Sequence, residues 1–198
     1  MMDVHPGSRM FLISGDRTLE VKATTTERVR GLSAPLQRRA AGRDPLGRGE
    51  GRVLYWRLPP RIKVLEALGC IADGRVQFVS DREARVTGSD GTRTYRVVWD
   101  GGLGITSNDN GSMYKGYLGY PSIAFLMLKG ILPYDEKLAE ALKGIPWRDL
   151  NEKFRSYSAT ENYVRELLAE KGISWAYTEA FVERVLAEIK RLKPYKIM

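Results

Sequence analysis

Seven arginines, Arg28, Arg30, Arg38, Arg39, Arg43, Arg48 and Arg52, fall in one short stretch with no lysine among them. Only Asp44 and Glu50 oppose them, a local charge of +5 in a chain whose formal net charge is +8. Guanidinium groups at this density neutralise phosphates, so the chemistry they offer is electrostatic binding of nucleic acid with little sequence preference. The competing reading of the same stretch is a solvated linker. A second set interleaves rings with cations: Tyr55-Trp56-Arg57, Tyr95-Arg96, Tyr114-Lys115 and Tyr117. Exposed on a sheet face, such residues stack bases and hold phosphates. Tyr95 and Trp99 share a face with Val97 and are expected in the core with Phe78, which leaves Arg57, Arg96, Tyr114, Lys115 and Tyr117 as the candidate nucleic-acid contacts outside the arginine run.

Other chemistry is harder to build from this chain. The single histidine, His5, lies in a polar leader, which removes histidine-based metal sites and Ser-His or Cys-His catalysis. Glu66, Asp73, Asp81 and Glu83 occupy the region where a metal-dependent nuclease would gather its acids. The lysine that such a site needs is replaced by Arg85, which does not exchange a proton near neutrality. An enzyme would instead require a concave pocket holding several of Glu66, Asp81, Glu83, Asp100 and Asp109. The glycine-rich stretch Gly101 to Gly111 lacks the Gly-Lys-Ser/Thr ending of a phosphate-binding loop and reads as two turns. No catalytic residue, metal site or cofactor is assigned, and the reading leans against an enzyme. No motif ties the chain to a family by inspection.

Composition sets the wider bounds. The chain has 198 residues, 43% of them hydrophobic and 28% charged, enough for one substantial core. One cysteine, Cys70, excludes an intramolecular disulfide and fits a reducing compartment. It lies on an apolar helix face and is expected as a small core residue. No apolar run approaches the roughly 20 residues of a membrane span, and no basic start leads into an apolar segment. Together these predict a cytoplasmic protein with no membrane partner, of thermophile-like composition.

The elements that must position these residues follow from punctuation and period. Met10 to Ile13 and Thr18 to Ala23 read as short strands, but residues 24–51 carry no apolar period and are expected to be irregular. The leader 1–52 is also open to a second reading, in which the natural protein starts near Val53. Val53 to Leu58 reads as a strand, stopped by Pro59-Pro60, with Pro60 in the first turn of a helix over 62–72. Period-two alternation then predicts strands over 75–80, 83–87, 93–99, 103–107 and 112–118, joined by tight turns at Asp73-Gly74, Ser89-Asp90-Gly91 and Asp100-Gly101-Gly102. The 62–72 helix is expected to lie on one face of this curved meander.

Helices are predicted over 122–129, the first apolar on every side and hence central, and over 134–143, 146–157, 159–171 and 175–193. Ser122 is expected to cap the first, and Ser158 with Glu161 to form a capping box. Three joints repeat one pattern, Lys129-Gly130-Ile131, Lys143-Gly144-Ile145 and Lys171-Gly172-Ile173: lysine at the negative end of the helix, glycine in the left-handed position and isoleucine packing back. A helix-turn-helix over 167–181 is disfavoured, because Glu179, Glu183 and Glu188 would repel phosphates. The sequence therefore predicts an α+β fold: a leader (1–52), a helix with an antiparallel meander (53–121) and a layer of four to five helices (122–198). The expected function is a non-catalytic nucleic-acid-associated protein. The alternative is a protein-interaction module whose partner sits on the helical layer, with an acidic-site metal-dependent enzyme behind both.

Overall fold

The structure, a computed structural model, describes residues 53–197. The seven leader arginines, the strands expected near residues 10–13 and 18–23 and the irregular 24–51 segment lie outside the described residues. Helix α1 (Ile62–Ala72) has the bounds that its apolar spacing predicts. Ile62, Val64, Leu65, Leu68 and Cys70 on it are fully buried. Pro60 stands just ahead of the N-cap residue Arg61 rather than in the first turn. Gly74, with φ +66°, then turns the chain into the sheet.

Strands β1 (Val76–Ser80), β2 (Glu83–Thr87), β3 (Thr94–Trp99) and β4 (Ile105–Ser107) form an antiparallel sheet in the order of the chain. Val76 stands opposite Val86, Phe78 opposite Ala84, Ala84 opposite Val97 and Trp99 opposite Ile105. Their alternation therefore gives the sheet one apolar face. The expected strand over 112–118 is absent. Gly111–Lys115 is a π-helical turn, because the Asp109 carboxylate gathers the amides of Gly111 and Ser112 and Gly116 closes the turn at φ +70°. The 53–58 segment forms no strand of the sheet: its ladder contacts are isolated bridges, Tyr55 to Tyr195 and Arg57 to Tyr117, and Trp56 anchors it in the core by donating Nε1–H to the Ile105 carbonyl (2.8 Å). Two backbone bonds tie it to the far end of the chain: Trp56 N–H donates to the Pro194 carbonyl (3.0 Å) and Lys196 N–H to that of Leu54 (2.8 Å).

Helix α2 (Tyr120–Leu128) is buried from Pro121 through Met127, as a helix apolar on every side must be. It is α2 that packs broadly on the sheet, where the ring of Phe125 meets Phe78 at 5.4 Å and Trp99 at 5.9 Å. Helix α1, expected in that place, lies against α2 and α3 (Glu136–Ala141). Gly119 occupies the N-cap of α2, so Ser122 lies inside the helix, fully buried, and caps nothing. Helices α4 (Trp147–Phe154), α5 (Tyr157–Glu170) and α6 (Trp175–Leu192) complete the layer. Ser156 caps α5 by accepting from Ala159 N–H, so the box expected from Ser158 and Glu161 does not form. The fold is α+β. Among the described residues no helix is long and apolar enough to cross a membrane.

Val97 is buried as expected, while Tyr95 and Trp99 are half-buried with their rings against the core. Phe78 is 47% exposed, because β1 is an outer strand; the Lys129 ammonium sits 4.9 Å above its ring. Gly130, Gly144 and Gly172 end α2, α3 and α5 at φ +69°, +75° and +71°. At Gly144 a Cβ would meet no atom within 4 Å, so Gly144→Ala carries only left-handed strain, about 1 kcal/mol. Gly69 is the opposite case. An added Cβ would stand 2.7 Å from Trp147 Nε1 and 3.0 Å from the Leu142 carbonyl oxygen. Overpacking of roughly 1–3 kcal/mol outweighs the gain of about 0.5–1 kcal/mol for alanine in a helix, so Gly69→Ala destabilises. Denaturant midpoints of the two variants check both values, and a Gly69→Ala protein as stable as the parent would contradict this packing.

Candidate functional site

Three of the residues proposed from sequence come together. Arg57 runs along the π-helical turn, its N–H donating to the Gly116 carbonyl (3.1 Å) and its Nη1 to that of Lys115 (3.4 Å). Tyr114 and Lys115 project from the same turn, Tyr114 with 80% of its surface exposed, and Tyr55 is exposed two residues before Arg57. This is a rim of rings and cations in solvent. Tyr117 leaves the rim and turns inward, its hydroxyl 3.1 Å from that of Tyr157. Arg96 lies elsewhere, on the outer face of the sheet, where both its Nε (2.7 Å) and its Nη2 (2.8 Å) donate to Glu83. Arg28, Arg30, Arg38, Arg39, Arg43, Arg48 and Arg52 lie outside the described residues. The acids that argued against a helix-turn-helix are paired: Glu179 and Glu183 close on Arg61, which also takes Glu161 of α5, and Glu188 pairs with Arg191.

Next to the rim opens a cleft of about 370 Å³ that sequence reasoning did not find. Asn110 and Gly111, at the start of the π-helical turn, line it together with Tyr117 and Tyr157. Its floor is built on α1. Lys63 donates to both oxygens of Glu66 (2.7 and 2.9 Å), and Asn151 Nδ2 from α4 adds a third bond to that carboxylate (2.9 Å). Glu66 is 3% exposed, and such a charge persists in the interior only because three donors replace its water. Burial by itself would lower the Lys63 pKa, but the charge and hydrogen bonds of Glu66 outweigh it and hold the ammonium above its ordinary value.

One wall is the Asp109 loop. Asp109 Oδ1 accepts from Gly111 N–H (2.9 Å) and Ser112 N–H (3.2 Å), and Oδ2 from the Ser112 hydroxyl (2.6 Å). Gly119 must lack a side chain, because a Cβ there would collide with this carboxylate. The opposite end surrounds the β2–β3 hairpin turn. Arg75 donates through Nε to Asp73 (3.0 Å) and through Nη1 to the Thr87 carbonyl (2.9 Å). Arg148 pairs with Asp90 and Glu152, and its backbone N–H donates to the Ser89 hydroxyl (2.9 Å). Arg93, Tyr95, Tyr120 and Trp147 complete this end. Burial raises the pKa of Tyr120 and, with its bond to Tyr157, that of Tyr117, so both hydroxyls keep their protons at neutral pH.

Of the acids that an enzymatic pocket would need, the cleft holds Glu66 and Asp109. Asp81 pairs with Lys129, Glu83 with Arg96, and Asp100 accepts from Tyr195 (2.5 Å). Among the described residues no three acidic, histidine or cysteine side chains gather as metal ligands would. Cys70 is sealed in the core, where burial pushes its thiol up to about 12, against the pull of Arg75. It is no nucleophile at neutral pH. One local signal for the cleft was present in the sequence: Glu66 falls four residues after Ile62 and so shares the buried face of α1.

Residues 56–195 match the family described as "Uncharacterised conserved protein UCP014422". The chain belongs to that family. The match spans α1, the sheet, the cleft and Arg57, Tyr114 and Lys115 of the rim. Neither a curated protein nor a solved structure matches the chain.

The floor of the cleft makes a sharp prediction. Glu66→Ala strands the Lys63 ammonium, at a cost of about 2–4 kcal/mol, somewhat below that of breaking a fully dry pair because the cleft admits water. The double variant Lys63→Met, Glu66→Leu removes both charges and recovers most of this loss. Denaturant unfolding of both variants checks the difference, and equal stabilities would show that the charge pairing does not hold the floor.

Proposed function

We propose that the protein associates with nucleic acid without catalysis, binding electrostatically and with little sequence preference. The observation that carries this reading is the rim, where Arg57, Tyr114 and Lys115 stand exposed side by side. A ring in solvent flanked by two cations offers a face for a base and charge for the neighbouring phosphates. The Arg28–Arg52 stretch adds the larger charge, and it precedes the rim directly in sequence. Arg96 is a weaker contributor than sequence alone implied, since Glu83 already holds its guanidinium. A protein partner is the second reading. Its expected surface is the helical layer, and the outer edge of β1, where Phe78 and Val79 are about half exposed, is a second candidate.

Titration of the full chain with unrelated single- and double-stranded oligonucleotides across salt tests the first reading. Seven arginines against two acids neutralise about five phosphates, for a log–log salt slope of roughly −4 to −5 on duplex. Replacing the seven arginines by glutamine flattens that slope and weakens binding similarly on every sequence. Tyr114→Ala lowers affinity for a single strand by about tenfold with little change in slope, as loss of one stacking contact does. A full chain with no salt-sensitive binding at low ionic strength would remove the nucleic-acid reading and leave the protein partner in front.

A further inference from the structure

The sheet ends on β1, and among the described residues no strand pairs with its outer edge. Thr87 N–H donates to the Arg75 carbonyl (2.9 Å), in the register that sets Val76 opposite Val86 and Gln77 opposite Arg85. Antiparallel ladders alternate, so Arg75 and Gln77 turn their backbone groups toward β2 while Val76 and Phe78 turn theirs outward. A register shift between Phe78 and Ser80 ends the regular edge there. Open edges are commonly guarded by charged side chains or proline, yet β1 reads Val-Gln-Phe-Val-Ser and carries neither. Phe78 keeps 47% of its surface in solvent even with the Lys129 ammonium above its ring. The other end of the sheet differs. Beside β4, Tyr195 bridges to Gly104, and its carbonyl accepts from Ile105 N–H (2.9 Å).

We infer that β1 is a self-association edge, pairing antiparallel with β1 of a second copy about a two-fold axis between the two Gln77 residues. The inference rests on reading that edge as a protein surface and is independent of the nucleic-acid reading. In this register the strand is its own complement. Val76 meets the copy's Phe78, and Phe78 the copy's Val76, so the outward N–H and C=O groups of both edges are matched without crossing the register shift. Val76 and Phe78 share the packed face of the sheet, so each exposed ring is met by a valine. Gln77 faces its own copy on the outer face, where no charge opposes the approach. The first charged residues beyond the strand are Arg75 at one end and Asp81 at the other. Antiparallel pairing therefore sets opposite signs end against end, where parallel pairing would set like beside like. Once paired, neither copy keeps a free β1 edge, and the assembly closes as a dimer.

Sedimentation equilibrium of the full chain without nucleic acid tests this pairing. So short an edge buries less than the roughly 1,200 Å² of a standard interface, so a weak dimer is expected, with a dissociation constant on the order of 100 µM. Gln77→Lys and Gln77→Glu each set like charges face to face across the axis and raise that constant at least about fivefold. Gln77 is exposed, so both variants keep the fold. An equimolar mixture of the two recovers the association, because lysine then faces glutamate. Gln77→Cys adds a readout of position, since directly opposed residues of this kind have Cα atoms about 4.5 Å apart, within reach of a disulfide. The native Cys70 is buried, so a cross-linked dimer after oxidation reports residue 77. A chain that stays monomeric up to about five times the expected constant overturns the proposal. So does a dimer that both charged variants leave intact, or a mixture that fails to recover it. Because nucleic acid is absent throughout, none of these outcomes bears on the rim.

Discussion

Helix α2 is apolar on every side, and the rest of the fold is arranged to enclose it. A helix of this kind has no face it can leave in water, so it must be covered around its whole circumference. The sheet supplies one wall through Phe78, Trp99 and the buried Val97, and α1 supplies another. Because α1 is held between α2 and α3, its own surface divides sharply. Ile62, Leu65 and Leu68 are buried with no exposure, and Glu66, only four residues beyond Ile62, is forced inward with them. A carboxylate in that position is tolerable only with donors around it, and Lys63 and Asn151 are those donors. The polar floor of the cleft is thus a consequence of how α2 is enclosed. Tyr120, in the first turn of α2, carries the same constraint to the cleft's other end.

Much of the fold was legible because it is written locally. The bounds of α1 follow from Ile62, Leu65 and Leu68, and the four-stranded meander follows from period-two runs between glycine turns. The three Lys-Gly-Ile joints end helices at positive φ as their residue types require. The misreadings share a cause. The run from Ser112 to Leu118 reads as a closing strand, yet the Asp109 carboxylate takes the amides of Gly111 and Ser112 and starts a helical turn there, and a side chain bonding nearby backbone outweighs a weak apolar period. The 53–58 segment has strand-forming residues, but its only ladder partners are single positions at Tyr117 and Tyr195.

The site divides in the same way. Arg57, Tyr114 and Lys115 could be found because cation and ring are neighbours in the chain. The cleft could not, because its joins are long-range: Glu66 to Asn151, Asp90 to Arg148 and Tyr117 to Tyr157. No spacing rule relates α1 to α4 across that much sequence. Charge counting was also blind to the cleft, which sets Lys63, Arg75, Arg93 and Arg148 against Glu66, Asp90, Asp109 and Glu152 and carries no net formal charge.

That neutrality separates two kinds of recognition. A stretch such as Arg28–Arg52 attracts any polyanion over a Debye length of about 8–10 Å and discriminates little among them. The cleft, neutral in sum, gains nothing from such attraction. Groups that served packing alone would be replaced at little cost by apolar residues of the same volume, since buried charge pairs seldom stabilise relative to a hydrophobic core. Beside the cleft, Arg75 Nη2 and Trp147 Nε1 are sealed from solvent with no partner among the described residues, each a cost of the order of 1–3 kcal/mol. The polar groups that do face the cleft are instead paired with one another, Lys63 and Asn151 with Glu66 and Arg148 with Asp90, so the cleft is shaped by internal pairing while the rim beside it leaves its ring and cations to solvent.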